Sequence, residues 1–388
     1  MNSMELFAGV GGLAMGTAMA GFEHQALVEC DRRCCDTMRE NQRQGVEIIS
    51  GGAVYEMDVA DFDFGLFSEK IDFLSGGPPC QPFSIGGRHG ANLDRRDMFP
   101  QFFRAVRELR PKAFLIENVR GLLRSSFANY FAYIVLQLAY PDILPKPEEN
   151  WREHLARLEQ HHNHNSEPGL HYRITFRLLN AADYGIPQKR ERVFIVGFRA
   201  DLQSSWSFPE PTHSEAALNY QKWVTGEYWQ KHQIPLAEQP PISPKFQRQL
   251  QRQGMNLFTS IMQPWQTVRD AISDLLAEKL PEGEKRSDRL YNPGAKTYPG
   301  HTGSPLDEPA KTLKAGVHGV PGGENMLAWP DGSVRYLTIR EAARLQGFPD
   351  NYCFPNPWGE SMRQIGNAVP ITLAHLLSES IYQQLQAI

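Results

Sequence analysis

The stretch Ile71-Asp72-Phe73-Leu74-Ser75-Gly76-Gly77-Pro78-Pro79-Cys80-Gln81 is a short apolar run that ends in a Gly/Pro cluster. It predicts a buried strand opening into a loop. Pro79 and Pro82 restrict that loop, so the lone thiol of Cys80 can be aimed without a large loss of chain entropy. A free cysteine most often fills core space, so the meaning of Cys80 depends on its neighbours along the chain.

Working outward, Met4 to Ala8 reads as a strand, Gly9 to Gly12 as a turn, Leu13 to Ala20 as a helix and His24 to Val28 as a second strand. The alternation continues with a helix from Arg32 to Gln42, a return through Tyr55 to Val59, and the strand at Ile71 to Leu74. A helix from Met98 to Leu109, a strand at Ala113 to Ile116 and a helix from Tyr130 to Leu138 follow. Strands alternating with helices predict an α/β fold: a doubly wound, mostly parallel, Rossmann-like sheet covered on both faces. The Pro-rich, then His-rich stretch between Tyr140 and Tyr172 reads as an exposed insertion. A strand pair follows at Tyr172 to Leu179 and Val193 to Phe198.

From about Asp201 the alternation fades into a Pro-, Gln- and Trp-rich region. The expected organisation is a catalytic and cofactor-binding domain at 1–200, completed by a returning helix within 360–388, and a smaller, irregular, β-rich domain at 201–359. A length of 388 residues supports two domains.

The apolar content of 41% with 22% charged residues is that of an ordinary globular chain. A net charge of -4 gives no global sign of a nucleic-acid partner, so any such contact has to come from local basic patches. Five cysteines without framework spacing argue for a reducing compartment, the cytoplasm. The Leu6 to Phe22 stretch lacks a basic leader and is Gly-rich, which argues against a signal peptide or a membrane span.

Glu5-Leu6-Phe7-Ala8-Gly9-Val10-Gly11-Gly12 ends a strand and opens a helix, a place where a ligand can approach the backbone. Glu29 at the end of the next strand suits a ribose diol, and Asp58 suits an adenine amino group. Glu117-Asn118-Val119 emerges at the same sheet edge as Cys80. In Gln188-Lys189-Arg190-Glu191-Arg192, alternation puts Arg190 and Arg192 on one face, suited to a phosphate and a carbonyl oxygen.

These segments, with Gln81-Pro82-Phe83-Ser84 after the Pro-Pro-Cys turn, Arg340-Glu341-Ala342-Ala343-Arg344-Leu345-Gln346-Gly347-Phe348-Pro349 and Gly366-Asn367-Ala368-Val369-Pro370, resemble the ordered motif set of the DNA (cytosine-5) methyltransferases of restriction-modification systems. The resemblance spans nearly the whole chain. It implies that Cys80 adds to C6 of a flipped cytosine, that Glu117 contacts ring N3, that Arg192 contacts the carbonyl oxygen, and that Asn118 positions the Pro79-Cys80 turn. It implies S-adenosyl-L-methionine as methyl donor, S-adenosyl-L-homocysteine as product and no metal. The implied cofactor residues are Phe7, Gly9, Gly11, Gly12, Glu29, Cys30, Asp58, Val59, Pro78, Asn367 and Ala368, with Cys30 standing where many relatives place a bulky residue against the adenine.

The partner implied is double-stranded DNA, with a restriction endonuclease as functional counterpart and the enzyme a monomer. Region 201–359 takes the place of the family's target-recognition region, with Thr312-Leu313 as its landmark. The DNA-contact candidates are Ser84, Arg88, Gln188, Arg190, Lys311, Thr312, Lys314, His318 and Arg335. His161, His162 and His164 read as a solvated loop, and Cys30 with Cys34 as core packing rather than a metal site. Transfer RNA as the polymer, a nicotinamide-dependent oxidoreductase built on Gly9, Gly11 and Gly16, and a DNA-binding regulator without activity are the alternatives.

Overall fold

The computed structural model describes residues 1–46, 51–67, 70–79, 97–164, 169–242, 244, 246–248, 262–277, 287–315 and 325–388. Cys80, Ser84, Arg88 and His318 lie outside the described residues. The alternation predicted for the first 140 residues is present: β1 (Asn2–Leu6), α1 (Gly12–Met19), β2 (Glu23–Glu29), α2 (Arg32–Arg43), β3 (Ala53–Glu56), β4 (Phe73–Gly76), α3 (Phe99–Leu109), β5 (Ala113–Val119) and α4 (Ala128–Ala139). After α5 (Trp151–His164) come β6 (Tyr172–Asn180), β7 (Gln188–Lys189) and β8 (Glu191–Arg199). One seven-stranded sheet runs in the order β3-β2-β1-β4-β5-β8-β6. β1 to β5 are mutually parallel, and β8 is antiparallel to both β5 and β6.

The strand order reverses direction between β1 and β4, and open α/β sheets bind ligands in the crevice that such a reversal creates beyond the strands' carboxyl ends. The loop after β1 and the Gly77-Pro78-Pro79 turn after β4 both rise there. β5 extends beyond the expected strand, through Glu117 and Asn118 to Val119. Both residues are therefore placed by ladder pairing with Phe194 and Val193 rather than by a loop.

α1 leans on the C-terminal helix Ile371–Gln386, as expected of the returning segment. At Gly16 an added Cβ would lie 2.4 Å from both Ala374 Cβ and His375 N, so this crossing depends on glycine.

Two expectations change. The 141–171 insertion carries α5, which packs on α4: Leu155 and Leu158 are buried, and the buried His154 meets the Ile143 carbonyl and Tyr133 Oη. His162 Nδ1 lies 2.7 Å from Tyr140 Oη, and His161 and His171 pack on the same ring, so these histidines belong to a packed helix end.

Region 201–359 is less β-rich than expected. Its described strands are two or three residues long, while the helices Glu215–Tyr220, Glu227–Lys231, Val268–Ala277 and Ile339–Leu345 carry much of its packing. Val268, Ile272, Leu327, Leu337 and Phe348 share one apolar cluster with Ala8, Val10, Ala14, Leu27 and Met38. The stretch from Val268 to Phe354 thus shares a core with β1, α1, β2 and α2 or the loops beside them. A smaller cluster gathers Leu218, Tyr228, Trp229 and Trp265 around Ala182.

Candidate active site

Glu117 and Arg192 sit on neighbouring antiparallel strands at the carboxyl edge of the sheet, and Arg192 Nε lies 2.8 Å from Glu117 Oε1, with side chains only 14% and 11% exposed. Partial burial strengthens this pair beyond an exposed ion pair. Arg192 Nη1 also donates to the Glu191 carbonyl at 2.8 Å, so the guanidinium is fixed from two sides. The Glu117 carboxyl also lies against the β4 turn, since a Cβ added at Gly77 would be 3.3 Å from Glu117 Oε2.

Asn118 Nδ2 donates to the Pro78 carbonyl at 3.0 Å while its Oδ1 accepts from Val119 N. The side chain thereby ties the end of β5 to the Pro78-Pro79 turn. At the far end of that loop Met98 N donates to the Pro79 carbonyl, and Tyr130 Oη donates to Asp97. Both described ends of the 80–96 segment are thus tied to β5 or to α4.

On the other side of the crevice, Phe7 adopts φ 58, a strained conformation for a non-glycine residue, and is followed by Gly9 at φ 57 and Gly11 at φ 76. Nothing lies within 4 Å of a Cβ added at Gly9, so its backbone is open to an approaching ligand. Glu29 accepts from Gly9 N at 2.8 Å with one oxygen and from Asp31 N at 2.7 Å with the other. It ties the loop to the end of β2 and keeps one lone pair per oxygen. Tyr352 Oη donates to the Val10 carbonyl from behind.

Asp58 and Asn367 are exposed at the loop ends, Val59 and Pro78 are buried, and Asp58 Oδ1 caps Ala60 N. Cys30 is exposed, and partial desolvation together with the Glu29 charge pushes its thiol up to about 11. Gly12 answers to packing: a Cβ there would strike the Val369 carbonyl at 2.6 Å. The open backbone at Gly9 and the lone pairs remaining on Glu29 could meet an adenosine ligand.

Beneath the loop, Glu5 is buried. It accepts from Ser75 Oγ at 3.2 Å, and burial, helped by Glu29, pushes its pKa up to about 8.

Four expected DNA contacts are engaged within the protein. Gln188 is fully buried, donates to the Leu345 carbonyl and Gln346 Oε1, and accepts from Leu313 N. Arg190, 1% exposed, donates to the carbonyls of Leu313, Gly366 and Ala368. Burial and the Arg192 charge pull its pKa down, with Glu117 opposing. Gln188 and Arg190 are therefore corrected from DNA contacts to core joints. They lie with Gln346, which bonds the carbonyls of Ile365 and Ala368.

Arg335 is held by both Glu341 oxygens at 2.8 and 2.6 Å, and its guanidinium lies over the rings of Tyr291 and Trp329. The Thr312 hydroxyl donates to the Lys189 carbonyl. Lys311 Nζ donates to Thr302 Oγ1 at 2.6 Å, and Lys314 is exposed. The sequence reading gave Gln346 no role although it quoted its motif, and it passed over Arg120, which directly follows Glu117-Asn118-Val119.

The family model for C-5 cytosine-specific DNA methylases matches residues 1–140 and 152–383. The chain belongs to this family. Among curated proteins, the methylase is 30% identical over 389 residues to the Type II methyltransferase M.Eco47II of Escherichia coli, covering 99% of the chain and 79% of that protein. It is likewise 30% identical over 397 residues to M.NgoMIV of Neisseria gonorrhoeae, covering 99% and 98%. Among solved structures, the S. pombe Dnmt2 methyltransferase superposes with a TM-score of 0.55 at 17% identity over 100% and 99% of the two chains. Entamoeba histolytica EhMeth gives 0.56 at 14% over 99% and 98%. The family match makes this chain a C-5 cytosine-specific DNA methylase, and the two solved structures share its fold.

Among the described residues of the methylase, no group of three or more His, Cys, Asp or Glu side chains is placed to hold a metal ion. No described helix is long and apolar enough to cross a membrane.

Proposed function

We propose that the enzyme methylates C5 of a cytosine extruded from a short duplex DNA sequence, through a covalent bond between Cys80 and ring C6. The carrying observation is the Glu117–Arg192 pair beside the Asn118-anchored Pro78-Pro79 turn. Cytosine C5 is a poor nucleophile until a thiolate adds at C6. In this reading Glu117 and Arg192, pre-oriented by each other, hold N3 and the carbonyl oxygen of the ring and stabilise charge as it develops. Loss of the C5 proton and expulsion of Cys80 then restore the aromatic ring.

S-adenosyl-L-methionine, when bound, supplies the electrophilic methyl group, and the proposed holders are Phe7, Gly9, Gly11, Glu29, Asp58 and Asn367. A stacked base cannot reach the crevice, so the target has to be flipped, at a cost of a few kcal/mol recovered in protein contacts. Region 201–359 is proposed to read the sequence, with a restriction endonuclease as cellular counterpart.

Labelled methyl transfer to duplex DNA and to transfer RNA separates the two polymers, and transfer to RNA alone overturns the choice of DNA. Incubating the protein and methyl donor with an oligonucleotide containing 5-fluorocytosine at the target traps a denaturation-resistant conjugate if the covalent step is right. Cys80→Ala abolishes turnover and trapping while leaving donor affinity nearly intact, and methylation retained in that variant refutes the step.

A further inference from the structure

Between the two residues that anchor the nucleophile loop, Asn118 and Tyr130, lies a surface turn with no part in the chemistry above. Arg120-Gly121-Leu122-Leu123 and Ser125-Ser126-Phe127 form two short 3-10 turns, with Leu122 and Phe127 buried and Arg120, Arg124, Ser125 and Ser126 exposed. Buried apolar residues fix the turn, and two cations and two hydroxyls are left facing solvent at the carboxyl edge of β5. Arg124 has no ion-pair partner among the described residues. Arg120 Nη1 meets Glu191 Oε2 at 2.5 Å, with side chains 67% and 42% exposed. An ion pair that exposed contributes ~0–1 kcal/mol, too little to be the reason for a strap here. It is also weak enough for a stronger anion to displace.

We propose that the 120–126 turn is a phosphate-binding platform for the DNA strand that delivers the target nucleotide, with Glu191 as the counter-ion that Arg120 leaves on binding. The inference rests on the methyltransferase reading. A base entering between the Pro78-Pro79 turn and the Glu117–Arg192 pair brings its own backbone past this turn, because Arg120 follows Glu117 by three residues and Glu191 adjoins Arg192. Arginine and serine are suited to phosphate oxygens, the first by its charged fork and the second as a neutral donor.

The test is the salt dependence of binding of a fluorescent duplex oligonucleotide to the full-length protein, for wild type, Arg120→Gln, Arg124→Gln and Glu191→Gln. Each arginine variant is expected to weaken binding several-fold and to flatten the plot of log affinity against log salt by ~0.9. Glu191→Gln is expected to tighten binding by releasing Arg120. S-adenosyl-L-methionine affinity, measured by calorimetry, stays at the wild-type value in all three.

Unchanged slopes in both arginine variants overturn the proposal. So does a Glu191→Gln protein that binds as weakly as Arg120→Gln at the wild-type slope, which marks the pair as a strap. Failure of wild-type protein to methylate any duplex sinks the catalytic reading instead, and the slopes report on the platform independently.

Discussion

At the scale of single residues the site is organised by hydrogen bonds that preorient groups before substrate arrives. Glu117 and Arg192 hold each other at 2.8 Å, so neither needs to be ordered during the reaction. Glu117→Gln keeps the shape but removes the ionisable carboxyl, and methyl transfer is expected to fall ~10²-fold or more, with donor affinity within about a factor of 2; single-turnover kinetics with calorimetry checks this. Asn118→Ala frees the Pro78 carbonyl and loosens the approach to Cys80. Its expected signature is a lower kcat with little change in KM for the donor, read from steady-state kinetics. The sequence placed Glu117 at the end of an apolar strand, while the expectation for Asn118 came from the family resemblance. The Arg335–Glu341 pair was not legible, because Glu341 becomes a neighbour of Arg335 only when the Thr338-capped helix forms.

At the scale of elements, Arg190 joins the segment at Leu313 to the turn around Asn367. Arg190→Met leaves the Leu313 and Gly366 carbonyls without this donor, while Gln346 still serves Ala368. The expected loss is roughly 2–6 kcal/mol, at about 1–3 per unsatisfied group, visible as a lowered thermal midpoint. Lysine at this position does not restore it, since an ammonium lacks the planar fork. Gly16→Ala tests the α1 crossing: better helix propensity favours alanine by about 1 kcal/mol, whereas overpacking against Ala374 at 2.4 Å costs about 1–3 kcal/mol. The variant is expected to melt lower than wild type. The alternation of five strands with four helices was readable from periodicity, while α5 was not, because the Pro-rich stretch before it and its own His-rich end hide Leu155 and Leu158.

At the scale of the whole molecule, stability carries the mark of Glu5. Its folded pKa of about 8 exceeds the ordinary 4.5, so the folded state binds more protons than the unfolded state between those values. Its contribution is fully present below pH 4.5 and is lost as pH rises towards 8. Glu5→Gln is therefore expected to gain several degrees of thermal midpoint relative to wild type at pH 8.5 and little at pH 5, measured by differential scanning calorimetry of both proteins. At the same scale, residues of region 201–359 share an apolar cluster with the first strands and helices. Its Val268, Ile272 and Leu337 are completed by Val10 and Met38, a pairing that sequence separation conceals.

The sequence by itself determined the alternating strands and helices of the mostly parallel sheet and the strand ends at which the candidate groups emerge, because strand period and Gly/Pro punctuation are local properties. Only the tertiary structure decided that Gln188 and Arg190 face inward to carbonyls, that Glu117 is already paired, and that Arg120 stands beside the crevice. Those facts depend on which distant backbone groups come within hydrogen-bond reach, and that is fixed when the chain closes on itself.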